Sequence, residues 1–121
     1  MRGDRRKEVG QAGEDAACKY LTGQGWTILD RNWTTRFGEL DLIARDGEQV
    51  VFVEVRSTSG GRFGFGFQSV DFRKQQKVRR LALAYVQQKR LEHLPIRFDV
   101  ISVLLNRERV PLQIDHIEGA F

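Results

Sequence analysis

A chain of 121 residues is long enough to bury its own core, so we expect a single domain over residues 1–121. A lone cysteine, Cys18, excludes a disulfide framework and a cysteine-based zinc site. No apolar run reaches the length of a membrane span, and the first residues lack the apolar segment of a signal peptide. We therefore expect a cytoplasmic protein with no membrane partner.

The net charge of +4 is unevenly distributed along the chain. Residues 62–90 contain eight basic residues and one acid, a net charge of +7, so the rest of the chain sums to −3. A basic segment beside an acidic one is typical of a protein that holds a phosphate backbone against a metal site. The alternative interpretation is an ordinary solvated helix face.

The first predicted element is a helix over residues 9–24, preceded by a charged segment, residues 1–8. We expect that segment to fray and to make at most a weak phosphate contact. Small residues at helical spacing allow the helix to lie close to a sheet. The face so defined carries Gly10, Gly13, Ala17 and Leu21. Glu14 lies beside it, and either points toward the sheet or is an ordinary acid favoured by the helix dipole.

A strand over residues 26–33 follows, with Trp26, Ile28 and Asp30 predicted on one side. The next segment, residues 38–56, is predicted to be a β-hairpin. Its two apolar runs flank Asp46-Gly47, a residue pair that type I′ turns favour.

The hairpin brings acidic side chains together. A loop at residues 46–47 pairs Asp41 with Phe52, so that Asp41 and Glu54 share one face as diagonal neighbours, with Cα atoms roughly 7–8 Å apart. Two carboxylates in this position repel each other unless a cation or a shared proton intervenes. Glu39 and Arg56 are predicted on the same face.

The segment over residues 57–69 contains three Phe and four Gly and is predicted to be a long loop. Its aromatic rings and Arg62 are suited to stacking on unpaired bases. Two alternatives remain open: a flap folded over the core, and a contact between two copies in a homodimer.

Asp71 is the predicted N-cap of a second helix, which ends near residue 91. Four apolar residues and one lysine mark its inward stripe: Val78, Leu81, Ala82, Tyr85 and Lys89. Its first turns carry Arg73, Lys74 and Lys77, and free backbone N–H groups beside cations form an anion site. We therefore predict that a phosphate group binds here.

Two strands complete the chain, over residues 96–105 and 110–117, and Pro111 suits the second to a sheet edge. Asp99 is predicted to be a hydrogen-bonded structural acid, and His93 and His116 are predicted to be structural. The element order is helix, three antiparallel strands, long loop, helix and two strands. It predicts an α/β sandwich with a mixed central sheet.

Three segments of the chain resemble the PD-(D/E)-x-K nuclease superfamily, and closely its small YraN family of uncharacterised, endonuclease-like proteins. They are Gly13-Glu14, Gly38-Glu39-Leu40-Asp41-Leu42 and Val51-Phe52-Val53-Glu54-Val55-Arg56. The resemblance extends from about Glu14 to the C-terminus, and its nearest functional analogues are archaeal Holliday-junction resolvases. The chain departs from the pattern at Arg56, where the superfamily has lysine.

The resemblance implies a restriction-endonuclease-like fold, a mixed five-stranded sheet flanked by helices. It also implies a metal-dependent DNA endonuclease, acting on branched DNA by analogy with the resolvases. Mg²⁺ or Mn²⁺ would be bound by Asp41, Glu54 and the carbonyl of Val55, while Glu14 would orient a water and Arg56 would stabilise the phosphorane. Resolvase-like relatives often place an accessory basic or amide residue where this chain has Lys74 and Gln75. The implied nucleic-acid contacts are Arg62, Arg73, Lys74, Gln75 and Lys77.

Arg56 leaves two further functions open. Arginine cannot be deprotonated in proteins, so the chain is alternatively a DNA-binding module of the same fold with weak or lost catalysis. In a third interpretation the acids form a structural ion-pair network with Arg36 and Arg56, without DNA. We also expect Arg56 to pair bidentately with Glu54 when no metal is bound.

Overall fold

The computed structural model describes residues 5–59 and 70–121, so the predictions for residues 1–4, for Arg62 and for most of the Phe- and Gly-rich segment lie outside the described residues. Two helices and five strands follow one another along the chain. They are α1 (Arg5–Gly23), β1 (Thr27–Thr35), β2 (Gly38–Asp46), β3 (Gln49–Ser59), α2 (Phe72–Gln88), β4 (Ile96–Leu105) and β5 (Pro111–Ile117).

The strands form one sheet in the order β1-β2-β3-β4-β5. All neighbouring pairs are antiparallel except β3 and β4, which are parallel because α2 carries the chain back across the sheet. The predicted α/β sandwich with a mixed five-stranded sheet is confirmed, and β5 is an edge strand. Neither helix in the described part of the chain is long and apolar enough to cross a membrane.

Each face of the sheet is covered by one helix. On one face Ala17 and Leu21 of α1 pack with Leu42 and Val53 of the sheet. On the other face, Tyr85 of α2 packs against Phe52 at 5.8 Å between ring centroids, in an edge-to-face arrangement. Alternate side chains of β3 therefore pack into opposite layers of the core, which explains why the sequence of β3 is almost continuously apolar.

Helix α1 begins four residues earlier than predicted, so the expected fraying is wrong for residues 5–8, which are helical. The physical reason is a contact at this end: the Arg109 guanidinium donates to the carboxylate of Glu8 at 2.6 Å between Nη2 and Oε1. Further along α1, a Cβ on Gly13 would lie 1.8 Å from Oγ of Ser57, whereas one on Gly10 would meet open space. The close approach predicted for small residues is confirmed at Gly13.

We expect Gly13→Ala to destabilise the protein by about 1–3 kcal/mol, because α1 must move away from β3 to accommodate the methyl group. The matched control is Gly10→Ala in the same helix, which should raise stability by about 0.5–1 kcal/mol because alanine favours the helix and nothing obstructs it. Urea denaturation of the two variants measures both changes. Equal effects of the two substitutions would contradict the close packing of α1 on β3.

Strand β1 does not alternate as predicted. Its pairing with β2 shifts between Ile28 and Asp30, and Asn32 has a φ of 50°, in the left-handed region. Ile28 packs in the core layer of α1. Asp30, predicted on the same side, instead accepts a hydrogen bond of 2.6 Å from the hydroxyl of Tyr85 in α2.

The predicted hairpin register is wrong by one residue on each strand. Asp46 pairs with Gln49, so the two-residue loop is Gly47-Glu48 rather than Asp46-Gly47. A type I′ turn at residues 46–47 would need positive φ at Asp46, whereas the observed loop has it only at Gly47, at 61°, as in a type II′ turn. Because each strand shifts by one residue, the side chains keep their predicted faces.

Helix α2 and the last strands follow the prediction closely. Asp71 is the N-cap and accepts from the backbone N–H of Lys74 at 2.9 Å. The helix ends at Gln88, slightly before the predicted end, with its four predicted apolar residues buried. Strand β4 has its predicted bounds, and β5 starts one residue late, at Pro111.

Candidate functional site

The acids of the hairpin lie just beyond the last paired residues of β2 and β3. There a side-chain carboxylate, rather than a backbone carbonyl, accepts the hydrogen bond between the strands. The paired residues run from Asp46 and Gln49 to Leu42 and Val53. Beyond them, the Asp41 carboxylate accepts from the backbone N–H of Val55, with 2.9 Å between Oδ2 and N. In the other direction, the Glu54 carboxylate accepts from the backbone N–H of Asp41. Asp41 does not pair with Phe52 as predicted, because Phe52 pairs with Ile43, and each carboxylate is bound to the backbone of the other strand.

Glu54 is a buried acid, with 4% of its surface exposed. Its carboxylate Oε1 lies 3.2 Å from Nζ of Lys74, in the first turn of α2. Burial raises the pKa of Glu54 to about 7, and the negative charge of Asp41 adds to the rise although Lys74 opposes it. Near neutral pH this carboxyl group therefore exchanges readily between its protonated and ionised forms.

Asp41 shows the same perturbation. Burial raises its pKa, while the hydrogen bond from Val55 and the positive charge of Lys74 counteract the rise. Arg56 also lowers this pKa by its charge. Two neighbouring carboxyl groups with raised pKa values form a site that gains free energy from any added positive charge.

Glu14 brings a third carboxylate from α1, and the prediction that it points toward the sheet is confirmed. Its Oε1 accepts from Nδ2 of Asn32 at 3.0 Å and lies 3.9 Å from Nη2 of Arg31. Burial raises the pKa of Glu14, and the charge of Asp41 raises it further. Arg31 is held mainly by Asp15, at 2.7 Å between Nη2 and Oδ1.

Asp99 in β4 is a buried acid whose hydrogen bonds are those of a structural carboxylate. It has no exposed surface and accepts from Arg97 at 2.8 and 2.9 Å, from His116 at 2.7 Å and from the Gly119 N–H at 3.0 Å. Burial acts to raise its pKa, but these hydrogen bonds outweigh burial and the pKa is lowered. The structural roles predicted for Asp99 and His116 agree with this network.

The oxygen atoms of Asp41, Glu54 and the Val55 carbonyl are suitable ligands for a small hard cation. In residues 5–59 and 70–121, no three His, Cys, Asp or Glu side chains converge on one metal position. Asp41 and Glu54, which lie together between β2 and β3, are the two side chains that could share a cation. The carbonyl of Val55 points to the same edge as its N–H, which Asp41 occupies. Two carboxylates and a carbonyl fit Mg²⁺ or Mn²⁺, which keep several waters and prefer oxygen ligands.

The expected bidentate pair between Arg56 and Glu54 is wrong, because Glu54 pairs with Lys74. Asp71 caps α2 so that its first turn lies over this face, and the ammonium of Lys74 reaches the carboxylate. The guanidinium of Arg36 stacks on Phe37 at 5.0 Å. Among the described residues neither Arg36 nor Arg56 forms an ion pair, so the structural network proposed for these two arginines is absent.

The residues predicted to contact nucleic acid fall into different places. Lys74 belongs to the acid site, and Gln75 donates to the carbonyl of Val70 at 2.8 Å, which anchors the chain before α2. Lys77 lies over Gly38, where φ is 147° and an added Cβ would lie 2.7 Å from Cε of Lys77. Arg73 is exposed. Arg73 and Lys77 are thus the predicted cations that flank the acid site on its α2 side.

Two neighbours of the acids were not identified from the sequence as partners of a carboxylate. Asn32 has a left-handed backbone and reaches Glu14, and the available signal was its residue type, since asparagine adopts this conformation more readily than most residues. Lys74 was predicted as a phosphate contact, and its spacing of three residues from the Asp71 cap was the available signal for its position.

Comparison with known proteins places this chain in a family. Residues 13–103, which contain Glu14, Asp41, Glu54, Arg56 and α2, match the profile of the Uncharacterised protein family UPF0102. The chain belongs to this family. The resemblance to the YraN family, which is the same family, is confirmed.

Relatives in UPF0102 cover nearly the whole chain. A protein from Myxococcus xanthus is 49% identical over 96% of this chain and 90% of its own length. One from Pelotomaculum thermopropionicum is 44% identical over 98% of each chain, and one from Dictyoglomus turgidum is 38% identical over 95% of this chain and 98% of its own. The family's name states no activity.

Proposed function

We propose that this UPF0102 protein is a metal-dependent DNA endonuclease. The observation that carries the proposal is the contrast between its buried acids. Asp99 is fully satisfied and its pKa is lowered, whereas the paired Asp41 and Glu54 are held with raised pKa values. Burying two like charges costs stability, and such perturbed pairs cluster at functional sites.

Asp41, Glu54 and the Val55 carbonyl would hold Mg²⁺ or Mn²⁺ at this edge. When bound, the ion supplies a water of lowered pKa and neutralises charge that develops on the scissile phosphate. The reciprocal hydrogen bonds between β2 and β3 fix both carboxylates before the ion arrives, so little ordering is needed on binding.

The remaining side chains have roles that their positions support. Lys74, which pairs with Glu54 here, would be released if a cation took its place and would then stabilise negative charge that develops on the phosphate. Glu14, held by Asn32, would orient the attacking water and accept its proton, which its raised pKa favours. Arg56 would act on the same phosphate by its charge, as its effect on Asp41 indicates.

The second candidate function, a DNA-binding module with weak or lost catalysis, rests on Arg56 in the position of the superfamily lysine. Lys74 weakens that argument, because an ammonium is present at Glu54 although it comes from α2 rather than β3. A compact ammonium on a flexible stem is the group that the superfamily pattern supplies from the strand.

Incubation with supercoiled, linear and four-way-junction DNA in Mg²⁺ or Mn²⁺ tests the proposal. We expect metal-dependent cleavage that disappears with EDTA and in Asp41→Asn, with the junction cut best by analogy with the resolvases. Binding of all three DNAs without cleavage would support the module instead. Neither binding nor cleavage would leave the proposal without support.

We predict that Arg73 and Lys77 contact phosphates rather than bases, since no side chains on this part of α2 are placed to read base edges. Replacing both by alanine should weaken binding to all DNA sequences alike and reduce the salt dependence by about one unit of slope per lost contact. Fluorescence anisotropy at several salt concentrations measures both quantities. A loss confined to some sequences would contradict phosphate contact.

A further inference from the structure

A second charged feature lies away from the acids, where α1, the end of β3 and the β4–β5 turn meet. It is a cavity of about 430 Å³. Five residues line it: Arg5, Val9, Ser59, Arg107 and Arg109. Ser59 lies five residues beyond Glu54 on β3, a distance of roughly 16–17 Å along a strand. The cavity is therefore separate from the acid site.

Charge in the cavity is strongly positive. Three of its five lining residues are arginines, and Arg109 is paired with Glu8, just beside the cavity, at 2.6 Å. Among the described residues, the three guanidiniums and the carboxylate of Glu8 give this region a net charge of +2. Like charges gathered in this way repel each other unless an anion lies between them.

Arg109 supplies the most specific observation. Its Nε is buried and has no hydrogen-bond partner, the single such side-chain atom in the described part of the chain. A buried charged donor without an acceptor is costly and calls for an explanation, such as a bound ion. The Nη2 group on the same edge of the guanidinium is paired with Glu8, so an acceptor for Nε would lie beside that carboxylate.

The β4–β5 turn, which carries Arg107 and Arg109, has a backbone fixed by hydrogen bonds. The Asn106 side chain accepts from the N–H groups of Glu108 and Val110 at 2.8 and 2.9 Å, and its carbonyl accepts from the Ser59 hydroxyl at 3.2 Å. Arg109 has a φ of 64°, a left-handed conformation that costs energy for a residue other than glycine. A turn braced and strained in this way is typical of a positioned functional group.

We propose that this cavity binds a phosphate group. A tetrahedral phosphate, singly charged as a nucleic-acid diester and up to doubly charged as a free monoester, offers oxygens to several guanidiniums at once, whereas a carboxylate is satisfied by one. The volume lies in the range of sites for small ligands and leaves room for the sugar or other group that carries the phosphate. The phosphate belongs either to a nucleic-acid chain or to a free phosphorylated compound. This inference does not depend on the proposed nuclease function.

Inorganic phosphate is the first probe, added at constant ionic strength while the side-chain Nε–H signal of Arg109 is followed by NMR. We expect a saturable shift of that signal. Arg107→Gln, at an exposed turn position, should weaken the affinity by about tenfold, the loss of one charge-assisted contact. The matched control Arg80→Gln, exposed on α2, should leave the affinity unchanged.

A linear response without saturation, or equal weakening by Arg107→Gln and Arg80→Gln, would overturn the proposal. A short DNA duplex distinguishes the two sources of phosphate. If the duplex displaces inorganic phosphate from Arg109, the site takes a nucleic-acid phosphate. If it binds elsewhere and leaves that signal unchanged, the site takes a free phosphorylated compound. Either result is independent of whether DNA is cleaved.

Discussion

Replacing Glu54 by glutamine is expected to stabilise the metal-free protein at pH 8 by roughly 1–3 kcal/mol, while it abolishes binding of divalent cations. Glutamine has nearly the same shape and keeps an oxygen that can accept from the Asp41 N–H. It removes a charge that burial and Asp41 both disfavour. A stabilising substitution at a group needed for function is the expected sign of a strained active site.

The pH dependence of the protein's stability follows from the direction in which the pKa of Glu54 is shifted. The pKa of Glu54 is raised from 4.5 to about 7, so between these values the folded state binds more protons than the unfolded state. Stability should therefore fall as pH rises through this window and stay low above it. The gain from Glu54→Gln should be largest at pH 8 and vanish near pH 4.

Urea denaturation in EDTA at both pH values measures these changes, with Glu92→Gln, an exposed acid after α2, as the matched control. We expect no effect of the control at either pH. If Glu54→Gln instead destabilises the protein at pH 8, the carboxylate is a net stabilising partner of Lys74, and its structural interpretation gains support.

Removing the ammonium of Lys74 is expected to slow cleavage strongly without abolishing it. Lys74→Met should lower kcat by roughly 10²–10³-fold, the loss typical for one group that stabilises transition-state charge. Arg56→Lys should change kcat by less than about tenfold, because the ammonium at Glu54 is already supplied by α2. Single-turnover cleavage at saturating DNA measures both, and Arg80→Ala is the control on the same helix.

Two results would contradict this assignment. If Lys74→Met cleaves like the wild type, Lys74 is only a partner of Glu54 in the metal-free protein. If Arg56→Lys raises cleavage strongly, the motif position on β3 carries the chemistry, and the arginine found there has weakened the enzyme.

The sequence predicted correctly that Asp41 and Glu54 lie together, although the hairpin register was wrong. Moving the loop from Asp46-Gly47 to Gly47-Glu48 shifts both strands together, which in a regular ladder keeps the residues of both strands on their predicted faces. The error arose from the turn. The Asp-Gly pair favours type I′, but a type II′ turn requires positive φ at Gly47 alone.

Other features depend on contacts that a local pattern does not contain. Asp30 turns to Tyr85 because β1 shifts its pairing after Ile28, and nothing in the alternation of residues indicates that irregularity. The partner of Glu54 was predicted from its neighbour on the same strand, Arg56. The observed partner, Lys74, is set by how α2 docks on the sheet, which is a long-range feature.

Manganese binding followed by calorimetry tests most directly whether the hairpin acids form a cation site. We expect a saturable heat of Mn²⁺ binding for the wild type at pH 8. That heat should be lost in Asp41→Asn and in Glu54→Gln and retained in Glu92→Gln. We also expect weaker Mn²⁺ binding at pH 6 than at pH 8. At pH 6 the ion must displace the proton that Glu54 still holds because its pKa is raised. Unchanged Mn²⁺ binding in Asp41→Asn or Glu54→Gln, or no binding by the wild type, would contradict the assignment of this site.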